Sequence, residues 1–326
     1  MDMKNLLKSF CSFVALAPLA MGVNVSALQA AEYPTKTVQI INPFPPGAST
    51  DILARLLTDK LSASLGQPVV VVNKTGGGGA VGIKAVKDAP ADGYTILIAP
   101  PPVALIPLAR KGIGFELSDF TPLNLLGRTP AVMIVKADAP WKTMEDVIAE
   151  AKKKPGQLTF GTPGTGTSGH FAMELFQKET GVKFIHVPLG GEAPVATGVL
   201  GGNIHTSIIG MGTVRPHIES GGLRALVVAT RKRIKEFPTV PTTFEKGLPA
   251  VEASPWFVFF VRVNTPPAIA ARLAQLLKDT IADKEIAARI EKAGVALENL
   301  GPDESKTFLA EEHKRWSEVA KFAKLD

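Results

Sequence analysis

Asn42-Pro43-Phe44-Pro45-Pro46-Gly47-Ala48-Ser49-Thr50-Asp51 separates two patterns. Before it lies an apolar run, Thr37 to Ile41; after it, Ile52, Leu53, Leu56, Leu57 and Leu61 fall on one helical face, with Gly66 as the stop. The stretch is therefore a strand-loop-helix corner. Its prolines fix φ and lack an N–H, Gly47 admits unusual backbone angles, and Ser49, Thr50 and Asp51 are helix-capping types. Backbone N–H groups converge at such a mouth, which suits an anion. A plain βα connection needs the same residue types, so the stretch alone leaves both readings open.

Farther along, the same signature returns in another composition. Leu158 to Phe160 runs into Gly161-Thr162-Pro163-Gly164-Thr165-Gly166-Thr167-Ser168, and Phe171, Leu175 and Phe176 then continue with helical spacing. Around the two corners the chain alternates apolar runs with amphipathic segments, the pattern of an α/β fold. Val69 to Val72 reads as a strand buried on both faces. The economical division is a first lobe over 32–128, a second over 129–253, and a return over 254–326 to the first. Trp256 to Val263 is the returning strand, and Pro266-Pro267 opens three helices. A ligand cleft is expected between the lobes, outside the carboxyl ends of strands.

Composition narrows the function. The 326 residues are 45% hydrophobic and 20% charged, enough for a sizeable core. The net charge of +6 is scattered, with only Lys152-Lys153-Lys154 and Arg231-Lys232-Arg233 as short clusters and few aromatics beside them, so no nucleic acid is expected. Residues 1–31 read as a signal peptide: Lys4 and Lys8 precede the apolar run Phe10 to Val23, and Ser26, Ala27, Ala30 and Ala31 offer cleavage sites. Cys11, the only cysteine, lies within it. The mature chain then has neither disulfides nor thiolate chemistry. An exported protein without a membrane span is expected.

Several motifs invite other chemistry. Gly77-x-Gly79-x-x-Gly82 has the spacing of a dinucleotide fingerprint but lacks the acidic residue in its required context, so it is read instead as a loop that lets one lobe approach the ligand or the other lobe. Gly166-Thr167-Ser168-Gly169-His170 is one residue short of a nucleophile elbow, which makes a secreted serine hydrolase using Ser168, with His186, His205 or His217, the alternative. The five histidines form no metal-binding pattern. Asp51 stands in a first helical turn, where capping explains it; in a site it would accept from water, a hydroxyl or an ammonium.

Taken in order, the pieces Tyr33-Pro34-Thr35-Lys36, Pro43 to Gly47 with Asp51 and Ala54-Arg55, Leu65-Gly66-Gln67-Pro68, Asp92-Gly93-Tyr94-Thr95, His186-Val187-Pro188, Leu200-Gly201-Gly202 and Phe237-Pro238-Thr239-Val240-Pro241 resemble the tripartite tricarboxylate transporter substrate-binding proteins, the TctC or Bug family. The resemblance implies a two-lobed periplasmic binding protein of type II-like α/β fold. It implies a monomer that closes over a small carboxylate, a di- or tricarboxylate or an aromatic acid, and delivers it to transporter membrane subunits. No catalysis, cofactor or metal follows from it. The ligand is expected at Phe44, Pro45, Gly47, Ala48, Ser49, Thr50 and Asp51 of the first corner, Thr162, Gly164, Thr165, Ser168 and His170 of the second, and Gly191. Neither corner holds Lys or Arg, which fits recognition by N–H groups. The chain departs from the family pattern at Ala48, Leu189, Gly198 and His205. These departures are expected at the cleft or its rim, favouring a bulkier or less polar acid.

Overall fold

In the computed structural model, residues 33–323 are described. The expected signal peptide lies outside them. Strand β1 (Val38–Asn42), helix α1 (Ser49–Leu65), β2 (Val69–Asn73), α2 (Ala80–Lys87) and β3 (Thr95–Ala99) form two consecutive βαβ units. Their helical crossovers oblige the strands to run parallel, as β1–β2 and β1–β3 do. α1 stops where expected: Gly66 adopts φ 69° and returns its N–H to the Ser62 carbonyl.

After α3 (Pro102–Ala109), the chain adds β4 (Phe120–Arg128) to this sheet and then leaves it. The second lobe holds β5 (Ala131–Lys136), α4 (Met144–Lys153), β6 (Thr159–Thr162), α5 (Ser168–Thr180), β7 (Ile185–Pro188), α6 (Glu192–Leu200), β8 (Ser207–Gly210), α7 (Met211–Glu219) and β9 (Leu223–Val228). Here β5 pairs antiparallel with β8 and β9, β6 pairs parallel with β7, and a parallel bridge from Phe160 to Thr206 links the groups. The chain then returns as β10 (Trp256–Arg262), followed by α8 (Pro267–Ala282), α9 (Lys284–Lys292), β11 (Ala296–Leu300) and α10 (Pro302–Ala320).

The returning strand is central: the first sheet has the order β11-β4-β10-β3-β1-β2, with β10 antiparallel to both neighbours. Its residues Trp256 to Val261 are all buried, so burial on both faces belongs to β10. The expectation for Val69 to Val72 is corrected, because β2 is an edge strand with Val70 40% exposed. Two crossing segments run side by side between the lobes, joined by Thr129 N–H to the Pro255 carbonyl (2.8 Å) and Ala131 N–H to the Ala253 carbonyl (3.1 Å). α10 bridges the lobes: Leu309 packs into the first, whereas Trp316 and Val319 enter the second, with Trp316 edge-on to Phe171 at 5.6 Å. Among the described residues, no helix is long and apolar enough to cross a membrane.

Candidate functional site

Both corners form, and they share a hydrogen-bond scheme. In the first, Ala48 N–H bonds the Pro45 carbonyl, Ile52 N–H bonds the Ala48 carbonyl, and Gly47 N–H bonds Asp51 Oδ2 at 3.0 Å. In the second, Thr167 N–H bonds the Gly164 carbonyl, Phe171 N–H bonds the Thr167 carbonyl, and Gly166 N–H bonds His170 Nδ1 at 3.3 Å. Each loop glycine has positive φ, 79° at Gly47 and 84° at Gly166, and is tied to the side chain four residues on. The scheme leaves the opening N–H groups of α1 at Ser49 and Thr50, and those of α5 at Ser168 and Gly169, with no carbonyl one turn behind them.

These helix mouths meet at a cavity of about 50 Å³, lined by Ala48, Ser49 and Thr50 of the first corner and Pro163, Thr167 and Ser168 of the second. Phe44, Phe257, Pro255 and the run Pro100 to Pro102 complete an apolar wall, and Glu192 adds one carboxylate. No Lys or Arg is among the lining residues. The Thr50 hydroxyl is buried and has no hydrogen-bond partner among the described residues. A buried hydroxyl in that state costs free energy unless something else bonds it.

The lobes touch around this cavity. Ser49 Oγ donates to Glu192 Oε2 (3.2 Å) and lies 3.4 Å from Thr213 Oγ1. Gly78 abuts Gly164 and Thr165 so closely that a Cβ on it would lie 3.1 Å from the Thr165 carbonyl oxygen. The glycine-rich loop thus serves approach of one lobe to the other, as expected from its poor match to a dinucleotide site. Glu192 was not among the sequence candidates. Its only signal was an acidic residue opening a helix after Gly190-Gly191, a position that ordinary dipole complementarity explains. Burial pushes its carboxyl upward, against the opposing hydrogen bonds from Thr213, Gly210 and Ser49.

Of the residues expected to hold the ligand, Phe44, Ala48, Ser49, Thr50 and Ser168 line the cavity. Gly47 lines a neighbouring outer cavity of about 320 Å³ on the far side of Ser49, and its N–H is taken by Asp51. Pro45 and Gly191 face each other across the lobes, a Cβ on Gly191 falling 3.7 Å from the proline ring. The remainder do not line this cavity. Asp51 is turned into its own lobe, accepting from Gly47, Arg55 (3.0 Å) and Asn73 (2.9 Å). Burial alone would raise its carboxyl, but those hydrogen bonds outweigh burial and hold it below the ordinary value. Thr162 Oγ1 bonds His186 Nε2 at 2.6 Å and accepts the Gly164 N–H. Gly164 and Thr165 serve the contact with Gly78.

His170 is fully buried in a stack with His186, ring centroids 4.1 Å apart, and Phe160 lies against His186 at 4.8 Å. Burial, reinforced by the neighbouring His186 and Arg110, pushes His170 down to about 3, and burial takes His186 to about 4. Both are neutral at ordinary pH. Among the described residues, the side-chain bonds of three histidines go elsewhere than Ser168: His170 accepts from Gly166, His186 bonds Thr162, and His205 Nδ1 accepts the Thr159 N–H. Of the departures from the family pattern, only Ala48 reaches the cavity. A Cβ on Gly198 would meet Ile204 at 2.9 Å and Leu189 at 3.6 Å, so these belong to a packed apolar cluster, and His205 lies against Trp141.

Sequence and structure comparisons place the chain in a family. Residues 53–325 match the model of the tripartite tricarboxylate transporter family receptor. The chain is 35% identical to Protein BugT of Bordetella pertussis over 324 residues, 98% of each chain. Among solved structures, it is similar to an R. palustris protein with adipate, at 31% identity and TM-score 0.83 over 89% of this chain and 98% of that one. It is also similar to MatC from Rhodopseudomonas palustris with bound malate, at 25% identity and TM-score 0.84 over 88% of this chain and 100% of that one. With a match across most of its length and the two-lobed binding-protein fold in common, the chain belongs to the tripartite tricarboxylate transporter receptor family.

Proposed function

We propose that this protein is a periplasmic solute-binding receptor that captures a small carboxylate between its lobes and delivers it to the membrane subunits of a tripartite tricarboxylate-type transporter. The observation that carries the reading is that two helix mouths, at Ser49 and Thr50 of α1 and at Thr167 and Ser168 of α5, line one cavity that holds no Lys or Arg, with the buried, unpartnered Thr50 hydroxyl in the first of them. A carboxylate oxygen there accepts from Thr50 Oγ1 and from helix-opening N–H groups, and both helix dipoles favour its charge. Family membership and the adipate- and malate-bound neighbours support the same ligand chemistry. The receptor acts by closure and assigns no catalytic step to Ser168, whose place is at the opening of α5.

Titration calorimetry with a panel of small carboxylates tests this directly. Thr50→Val removes the hydroxyl at nearly constant shape. A hydrogen bond to a charged group is worth roughly 1.5–3 kcal/mol, so affinity for the bound acid should fall about 10- to 100-fold. Absence of binding across the panel, or ester hydrolysis abolished by Ser168→Ala, would overturn the reading.

A further inference from the structure

A carboxylate, Glu192, stands inside the site assigned to a carboxylate ligand. It opens α6, lines the inner cavity, and is held by neutral groups only: Thr213 Oγ1 (2.6 Å) and Ser49 Oγ (3.2 Å) donate to Oε2, and Gly210 N–H (3.2 Å) donates to Oε1. The two helix mouths offset one ligand carboxylate, but a second one, with both mouths taken, pays for like-charge repulsion with Glu192 or forces a proton onto one of the pair. Much of the remaining lining offers such a group nothing: the Phe44 and Phe257 side chains are apolar, and Pro101, Pro163 and Pro255 have no N–H to give.

Size points the same way. The inner cavity of about 50 Å³ is far below the roughly 300–1,000 Å³ of drug-sized pockets. Ser49 lines both this cavity and the outer one of about 320 Å³, and it bonds Glu192 and lies beside Thr213. A ligand too long for the inner cavity has to displace Ser49 to extend toward the outer one.

We propose that the cleft selects a compact monocarboxylate with an apolar body, and that Glu192 is the specificity-determining residue that rejects a second carboxylate. This rests on the carboxylate reading above and narrows its substrate class. The helix mouths take the single carboxylate, the proline and phenylalanine wall takes the hydrocarbon, and Glu192 sets the polarity limit. Rejection through an unfavourable charge is a common route to specificity.

Calorimetry on the full protein with acid pairs of equal carbon number, butyrate with succinate and hexanoate with adipate, tests the assignment. Within each pair the monocarboxylate should bind at least about tenfold tighter, and Glu192→Gln should shrink that ratio about tenfold or more. If the variant fails to fold, the ligand carries the test instead. The monoamide of each diacid, equal in size with one charge fewer, should bind the unaltered protein at least about tenfold tighter than the diacid. Diacids binding as tightly as their partners, or a ratio unmoved by Glu192→Gln, overturn the assignment and leave the carboxylate reading standing. If neither class binds, both fall.

Discussion

The two corners have one backbone scheme and two chemistries for fastening it. In each, a positive-φ glycine is tied to the fourth residue on; the acceptor is the Asp51 carboxylate in the first and the neutral His170 imidazole in the second. Asp51 is offset by Arg55 on the outer face of its helix, whereas His170 is sealed in a ring stack. The difference teaches that what the site needs at this position is an acceptor for the loop N–H rather than a charge. The surroundings differ too. Gly47 has open space where a Cβ would point, while a Cβ on Gly166 would lie 2.9 Å from Ile106 Cγ1 and 3.2 Å from its Cα, across the cleft.

That contrast sets the largest expected effect. Gly166→Ala incurs left-handed backbone strain of about 1–2 kcal/mol and an interlobe overlap of about 1–3 kcal/mol. Gly47→Ala incurs the strain alone. Urea denaturation should rank Gly166→Ala as the more destabilised, and only that variant should also weaken ligand binding by wedging the lobes apart. Equal losses in both variants would mean that the corners are not pressed against different neighbours as described.

The fasteners can be compared next. Asp51→Ala strands the Gly47 N–H and the Asn73 amide and should cost about 1–3 kcal/mol; His170→Ala strands the Gly166 N–H and opens a hole under Phe160, with a loss of similar size. Asp51→Asn keeps an acceptor and should recover most of the loss. If Asn recovers nothing, charge matters at this corner and the equivalence fails.

The corners, the two-lobed α/β plan and the returning strand were legible because each leaves a local mark: a run of β-branched residues, a glycine-rich turn, a 3.6-residue apolar stripe. Strand β4 was missed because Pro122, Asn124 and Gly127 interrupt its apolar pattern. β11 was missed because Glu298 and Asn299 lie on an edge that pairs on one side only. At the site, residue types identified the mouths but not which groups face them. Asp51 and His170 carry the chemistry of ligand contacts, yet hydrogen bonds to their own loops turn them inward. Glu192 reaches the cavity through contacts with Ser49 and Thr213, far away in sequence, which no local pattern encodes.

Acid should separate the fasteners. His170 has a folded value of about 3 against an ordinary 6.5, so its neutral form is favoured by the fold; the associated stability is complete above 6.5 and is lost as pH falls toward 3. The slope approaches about 1.4 kcal/mol per pH unit for this one group. Asp51 lies below its ordinary 3.8, so its contribution persists above that value and is lost only at lower pH, as the carboxylate takes up its proton. Denaturation midpoints between pH 7 and 5 should therefore fall in the unaltered protein and in Asp51→Asn alike, and fall less in His170→Asn. His186 contributes a further part in the same direction, its folded value being about 4. A profile equally steep in His170→Asn would place the titration elsewhere.

Arg55→Ala should give the smallest change and sharpen the comparison most. The guanidinium is half exposed and bonds Asp51 at 3.0 Å and Asn73 at 3.3 Å from outside the corner. An exposed ion pair of this kind is worth under about 1 kcal/mol and weakens with salt. Its larger effect is expected on the ligand: without Arg55, the charge of Asp51 is no longer offset beside the mouth of α1, and an anionic ligand should bind about two- to fivefold more weakly at low salt, the gap closing as salt rises. The second corner has no counterpart to this loss, since its acceptor is uncharged. If instead Arg55→Ala destabilises the fold as much as Asp51→Ala, the ion pair and not the Gly47 hydrogen bond fastens the first corner, and the parallel between Asp51 and His170 is broken.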